Sequence, residues 1–214
     1  MKLTPQIYFT KVPPTIDMSV RSELYSVNEF TFAVAVILSA QATDKKVNEV
    51  TPGLFAVADN PERMLTLGEN GLKKHIKVIS FFNNKAKNII GLARELAATG
   101  GILPRTQDEL MALPGIGRKT ANVIMNVLWD APMVGVDTHV FRLAHRFGWV
   151  GSMDNTPEKV EVQLLKTIPR KYHGMVNHTM VLHGRYTCKA LKPKCIECPV
   201  AKWCPYRNVM GKSD

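Results

Sequence analysis

The sequence predicts an all-α protein, and three observations carry that expectation. Apolar residues recur at helical spacing in several stretches, the boundaries of those stretches carry helix-capping signals, and no run alternates apolar and polar residues as a half-buried strand does. In chain order, Phe30 to Ala40 (FTFAVAVILSA) is the most apolar run. It falls well short of the roughly 18–20 residues needed to cross a bilayer, so it reads as a buried core helix. Lys85 to Ala97 is amphipathic, with Ile89, Ile90, Ala93, Leu96 and Ala97 on one face, as a core helix requires. Thr106-Gln-Asp-Glu109 has the pattern of a capping box, in which the hydroxyl and the carboxylate satisfy each other's free backbone N–H groups. It opens a short helix ending near Ala112. Leu113-Pro114-Gly115 closes that helix, and the next runs from near Arg118 to about Leu128. Val140, Leu143, Ala144 and Phe147 fall at i, i+3, i+4 and i+7, which makes Thr138 to Phe147 another amphipathic helix. Thr156-Pro157 supplies an N-cap and a first-turn proline for a helix carrying Val160, Leu164 and Leu165.

Charge narrows the partner. Twenty-eight Lys and Arg against eighteen Asp and Glu leave a formal +10, which favours a polyanion, above all nucleic acid, through phosphate neutralisation and counterion release. The N-terminal MKLTPQIYFTKVPPT has no continuous apolar core of a secretory signal. A soluble, intracellular chain with no membrane partner is expected.

All four cysteines lie in the last 27 residues, Cys188, Cys195, Cys198 and Cys204, spaced C-x6-C-x2-C-x5-C. An intracellular location disfavours disulfides. Four thiolates so close in sequence suit a metal centre, either zinc or an iron–sulfur cluster, and spacing alone leaves the two open. Lys189, Lys192 and Lys194 stud the same stretch, together with Arg185, Lys202 and Arg207, and a metal-pinned loop of this kind suits a rigid phosphate contact.

The stretch LPGIGRKTAN at 113–122 carries the sharpest signal. It lacks the third glycine and the preceding strand of a dinucleotide fingerprint. Arg118 between Gly117 and Lys119, and Ala112 in place of the upstream glycine, exclude a Walker A loop. Helix, Pro-Gly-x-Gly turn, helix is a different object. Gly115 and Gly117 allow a close approach of another backbone, and the N–H groups of Arg118, Lys119 and Thr120 at the new helix start make a seat for a phosphate.

LPGIGRKTAN resembles the helix-hairpin-helix motif of DNA repair glycosylases, and VDTHVFR at 136–142 resembles the segment that follows it there. With the cysteine spacing, and with SAQATD at 39–44, NNKAKNI at 83–89 and LHGRYTC at 182–188, the chain is similar to the endonuclease III family from about residue 20 to Cys204. The resemblance implies a bifunctional glycosylase and abasic-site lyase that acts on damaged double-stranded DNA, and a [4Fe–4S] cluster on the four cysteines.

It also implies roles. Lys119 matches the family's catalytic lysine, whose nitrogen must be uncharged when it attacks the sugar C1′; Arg118 and the helix N-terminus favour that state. The residues alone fit a phosphate-binding lysine better, and the resemblance reverses the choice. Asp137 matches the catalytic aspartate and is also a good N-cap for the helix at Thr138, two compatible roles. The resemblance places Lys119 and Asp137 across a cleft between two domains. Gln41 matches the residue that inserts toward the orphaned base once a nucleotide is extruded, and a polar helix-end residue is the alternative. Phe81 stands where the family usually carries an intercalating aliphatic residue, often Leu, and an ordinary core phenylalanine is the alternative. His139 is read either as a contact to the flipped nucleotide or a phosphate, or as a structural histidine.

The expected architecture is a six-helix domain at 22–131 carrying the hairpin (about 107–128), and a second helical domain from 1–21 plus 132–214 carrying Asp137 and the iron–sulfur loop. A monomer that removes oxidised pyrimidines is expected. The rivals are a monofunctional mismatch glycosylase and a non-enzymatic, structure-specific DNA-binding module.

Overall fold

The computed structural model describes residues 2–15 and 22–210. Residues 1 and 16–21, within the N-terminal segment assigned above to the second domain, lie outside the described residues. All regular structure among the described residues is helical: α1 (Pro5–Lys11), α2 (Glu29–Ser39), α3 (Asp44–Val57), α4 (Pro61–Ile76), α5 (Phe82–Ala98), α6 (Gln107–Ala112), α7 (Arg118–Trp129), α8 (Thr138–Arg146), α9 (Pro157–Thr167), α10 (His173–Tyr186) and α11 (Pro205–Met210), with single 3-10 turns between some of them. Two compact units result, one formed by Ser22–Trp129 and the other by the N-terminal segment with the chain from Asp130 onward.

The first unit is built around α2. Every residue from Phe30 to Leu38 is buried, because neighbours cover this helix on all sides, α3, α5 and α7 among them. Its start is a reciprocal capping box: Thr31 N donates to Asn28 Oδ1 and Asn28 N donates to Thr31 Oγ1, each at 2.9 Å. The box expected at Thr106 forms only in part. Thr106 Oγ1 accepts from Glu109 N, but the Glu109 carboxylate accepts from the Thr106 hydroxyl rather than from a backbone N–H. α4 loses helical geometry at Gly68, whose φ is 69°. α5 begins at Phe82, three residues before the periodic pattern does, because its N-cap Phe81 is left-handed and carries no capping side chain to mark the start.

The second unit packs α8 against α9 and α10. Val140, Leu143, Ala144 and Phe147 are buried as expected, although Phe147 is the C-cap rather than a helical residue. On α9, Val160 and Leu164 are buried, whereas Leu165 is 39% exposed, since one residue along a helix turns the side chain by about 100°. α1 belongs to this core. Fully buried Tyr8 packs edge-on to Trp149 at 5.3 Å and stacks on His183 at 5.6 Å, and Trp149 Nε1 donates to Leu3 O at 2.8 Å.

Candidate nucleic-acid interface and cysteine centre

α6, the turn at 113–117 and α7 form a helical hairpin seated on α2 and α5. Ile116, between the two glycines, is buried and holds the turn down. Gly115 has φ +82°, and a Cβ there would stand 2.9 Å from Asn88 Cβ and 3.3 Å from Ile37 Cδ1. Gly117 is different: nothing lies within 4 Å of a Cβ built on it. The close approach expected of both glycines therefore occurs at Gly115 alone, and against side chains rather than backbone. Gly91 on α5 completes the seat, since a Cβ there would meet Pro114 Cβ and Cγ at 3.0 Å.

A polar clasp joins the two arms. Arg118 Nη1 donates to Gln107 Oε1 at 3.2 Å, and Gln107 Nε2 donates to the side-chain oxygen of fully buried Asn122. Arg118 thus braces the hairpin. Lys119, next along α7, is exposed, and its ammonium has no hydrogen-bond or ion-pair partner among the described residues. Thr120 is half-buried behind it.

Two further residues of this unit project outward from strained backbone. Gln41, with φ 54°, follows α2, and Phe81, with φ 58°, precedes α5. Left-handed geometry is uncommon for side chains of this size. Phe81 is 61% exposed, which removes the alternative of an ordinary core phenylalanine.

In the other unit, Asp137 caps α8. One carboxylate oxygen, Oδ1, accepts from His139 N and Val140 N, both at 2.8 Å, so Oδ2 is not used in the cap. The His139 ring packs on α10 at Gly184, where an added Cβ would come within 2.9 Å of it. Its Nδ1 lies 3.2 Å from Arg142 Nη2. Burial is the main cause that holds the His139 imidazole below the ordinary histidine range; Arg142 and Arg185 push the same way and Asp137 opposes them.

The four cysteines are free thiols, Cys188 and Cys204 buried, Cys195 and Cys198 half-buried, and all four line one pocket with Phe147, Pro193 and Ala201. α8 ties the chain into this loop. Arg142 Nη2 donates to Gly184 O and Cys188 O, while Arg146 donates to Cys188 Sγ at 3.3 Å and to Lys189 O at 2.7 Å. Burial pushes the Cys198 thiol up to about 11, and the neighbouring thiols Cys188, Cys204 and Cys195 add to the rise. The same burial raises Cys188, offset by Arg146. Lys189, Lys192 and Lys194 are all exposed, but Lys194 pairs with Glu197 at 3.3 Å.

Residues 34–170 match the model of the HhH-GPD superfamily of base excision DNA repair proteins. Endonuclease III of Rickettsia conorii is 51% identical over 187 residues, 87% of this chain and 88% of that one. A solved structure of a non-covalent endonuclease III–DNA complex superposes with a TM-score of 0.88 at 37% identity, covering 99% of this chain and 100% of the other. A trapped endonuclease III–DNA covalent intermediate gives 0.87 at 38% identity, covering 98% and 99%. The chain belongs to the endonuclease III family.

Within this endonuclease III family chain, the structure brings forward Ile116, Lys85, His183 and Arg146. Ile116 was legible as an apolar residue between glycines. Lys85 was not, since it sits at the start of an amphipathic pattern and yet is only 6% exposed. His183 lies inside the LHGRYTC segment, with Nδ1 3.1 Å from the Tyr8 hydroxyl and Nε2 3.5 Å from Cys198 Sγ. Arg146 carried no sequence signal beyond its charge.

Proposed function

We propose that this chain is a DNA glycosylase and abasic-site lyase of base excision repair, with Lys119 as nucleophile. The observation that carries the reading is the exposed, unpaired Lys119 amine at the first turn of α7, directly after the Gly115-hinged turn, in a chain of the endonuclease III family. The Lys119 nitrogen bonds to C1′ of the extruded nucleotide as the bond from C1′ to the damaged base breaks, and the base leaves with a proton. Opening of the sugar converts the adduct to a Schiff base. This makes the C2′ proton acidic; its loss expels the 3′ phosphate and cuts the strand by β-elimination. The Asp137 carboxylate, whose Oδ1 caps α8, stabilises positive charge developing on the sugar in this reading. Gln41 and Phe81 occupy the space left in the duplex. Gly117, open on its outer side, and the first N–H groups of α7 receive a backbone phosphate.

The four thiols hold a [4Fe–4S] cluster in this reading. The donor set fits: four free cysteines line one pocket, with Arg146 donating to one sulfur. Among the described residues, no group of three or more His, Cys, Asp or Glu side chains is arranged to hold a metal ion. When bound, the cluster cross-links the loop that carries Lys189 and Lys192 toward a phosphate backbone. Among the described residues no helix is long and apolar enough to cross a membrane. In this reading the protein acts as an intracellular monomer on double-stranded DNA. Oxidised pyrimidines are the substrate class.

The test is a duplex with one thymine glycol, scored separately for base release and strand scission, with borohydride added to trap the Schiff base. The expected outcome is a covalent adduct with wild type and none with Lys119→Ala. Wild-type protein that releases no base and traps no DNA would leave a binding module.

A further inference from the structure

We propose that Lys85 is a positioning residue that holds Gln41 and Phe81 as one rigid wedge, so that the two side chains enter the duplex together. The inference rests on the reading above, in which those residues fill the gap left by an extruded nucleotide. Lys85 lies on the first turn of α5, and its ammonium crosses to the end of α2. There it donates to Leu38 O at 2.7 Å and to Ala40 O at 2.6 Å. These are carbonyls at the end of α2, where a helix is short of donors and where its dipole favours a cation. Ala40 O belongs to the peptide unit that joins Ala40 to Gln41, so the bond to it sets how the chain enters left-handed Gln41. The backbone N–H of the same Lys85 donates to Phe81 O at 3.1 Å, the first bond of α5, which ties the other left-handed residue to the turn that carries Lys85. One buried side chain and its own amide thus grip both strained positions.

Several facts separate this from an ordinary stabilising contact. Lys85 is buried at 6% exposure with carbonyl oxygens rather than a carboxylate against its charge, an arrangement with a desolvation penalty. Burial is also the cause that pulls its ammonium below the usual lysine range. An apolar side chain of similar length would fill the same space without that penalty. What it would not supply are the two bonds that orient the exit from α2. Gln41 and Phe81 are both exposed, so packing alone does not hold them in left-handed geometry.

The experiment compares Lys85→Met with wild type in single-turnover base release from a thymine glycol duplex and in strand scission of a preformed abasic site in single-stranded DNA, which needs no extrusion. Misplacement of positioning groups costs about 10–100-fold, so base release from duplex should fall by about that factor while single-strand scission stays within about twofold. In a Gln41→Ala/Phe81→Ala background the effect of Lys85→Met should shrink to a few-fold, because there is no longer a wedge to position. Lys85→Arg, which keeps two donors, should recover part of the duplex activity. Should Lys85→Met fail to fold, Lys85→Gln, with an amide that reaches one carbonyl, enters the same comparison. Equal losses on duplex and single strand, or an undiminished loss in the double-alanine background, would overturn the proposal. Inactive wild-type protein would instead count against the enzymatic reading, so the two failures are distinct.

Discussion

At the scale of single residues, Asp137 serves the fold as a cap and, in the proposed function, the chemistry as well. Its Oδ1 satisfies two N–H groups of α8, an arrangement that Asn reproduces and Ala does not. Asp137→Asn should therefore keep the stability of wild type, whereas Asp137→Ala should lose about 0.5–2 kcal/mol. In the proposed function both variants should lose base release, because both remove the carboxylate charge that stabilises the developing cation. Urea denaturation beside single-turnover kinetics separates the two effects, and full activity in the Asn variant would leave Asp137 as a cap alone. The aspartate was legible in VDTHVFR because capping residues sit at fixed positions before a helix. His139 was not decided there. Its ring is settled by Gly184, 45 residues further along the chain, which offers space for it on another helix.

At the scale of elements, the hairpin assigns different work to its two glycines. Gly115→Ala places a Cβ in left-handed backbone, 2.9 Å from Asn88 Cβ, and should destabilise the protein by more than about 1 kcal/mol. Gly117→Ala meets nothing within 4 Å and should leave stability unchanged or raise it by about 0.4–1 kcal/mol. It should weaken binding to abasic-site DNA all the same, because in the proposed function the added methyl stands where a phosphate approaches. Thermal melting and fluorescence anisotropy read the two quantities, and a stability loss at Gly117 equal to that at Gly115 would contradict the assignment. The motif LPGIGRKTAN announced a hairpin, but its spacing says nothing about which glycine is crowded. That depends on α2 and α5, which supply Ile37, Asn88 and the notch at Gly91.

At the scale of the whole molecule, the surplus of ten positive charges predicts salt-sensitive association with DNA. The slope of log affinity against log salt should flatten by about 0.9 when Lys192 is replaced by Ala, if it neutralises one phosphate. Lys194→Ala should change it less, since Lys194 already pairs with Glu197. Anisotropy titrations at several salt concentrations measure both slopes. Equal changes would mean that the Glu197 pair opens on DNA.

The sequence by itself determined that the chain is helical, where its hairpin lies, that its four cysteines are candidates for one centre, and that it resembles the endonuclease III family. Each of these is written in local order: helical periods, caps, turn glycines and spacings act over a few residues, so they survive in a one-dimensional reading. Tertiary structure alone decided that Phe81 faces outward, that Gly115 and not Gly117 is crowded, and that Lys85 reaches across 45 positions to Ala40. Burial, close approach and a hydrogen bond between two helices depend on which surfaces meet, and that is a property of packing rather than of any short stretch of chain.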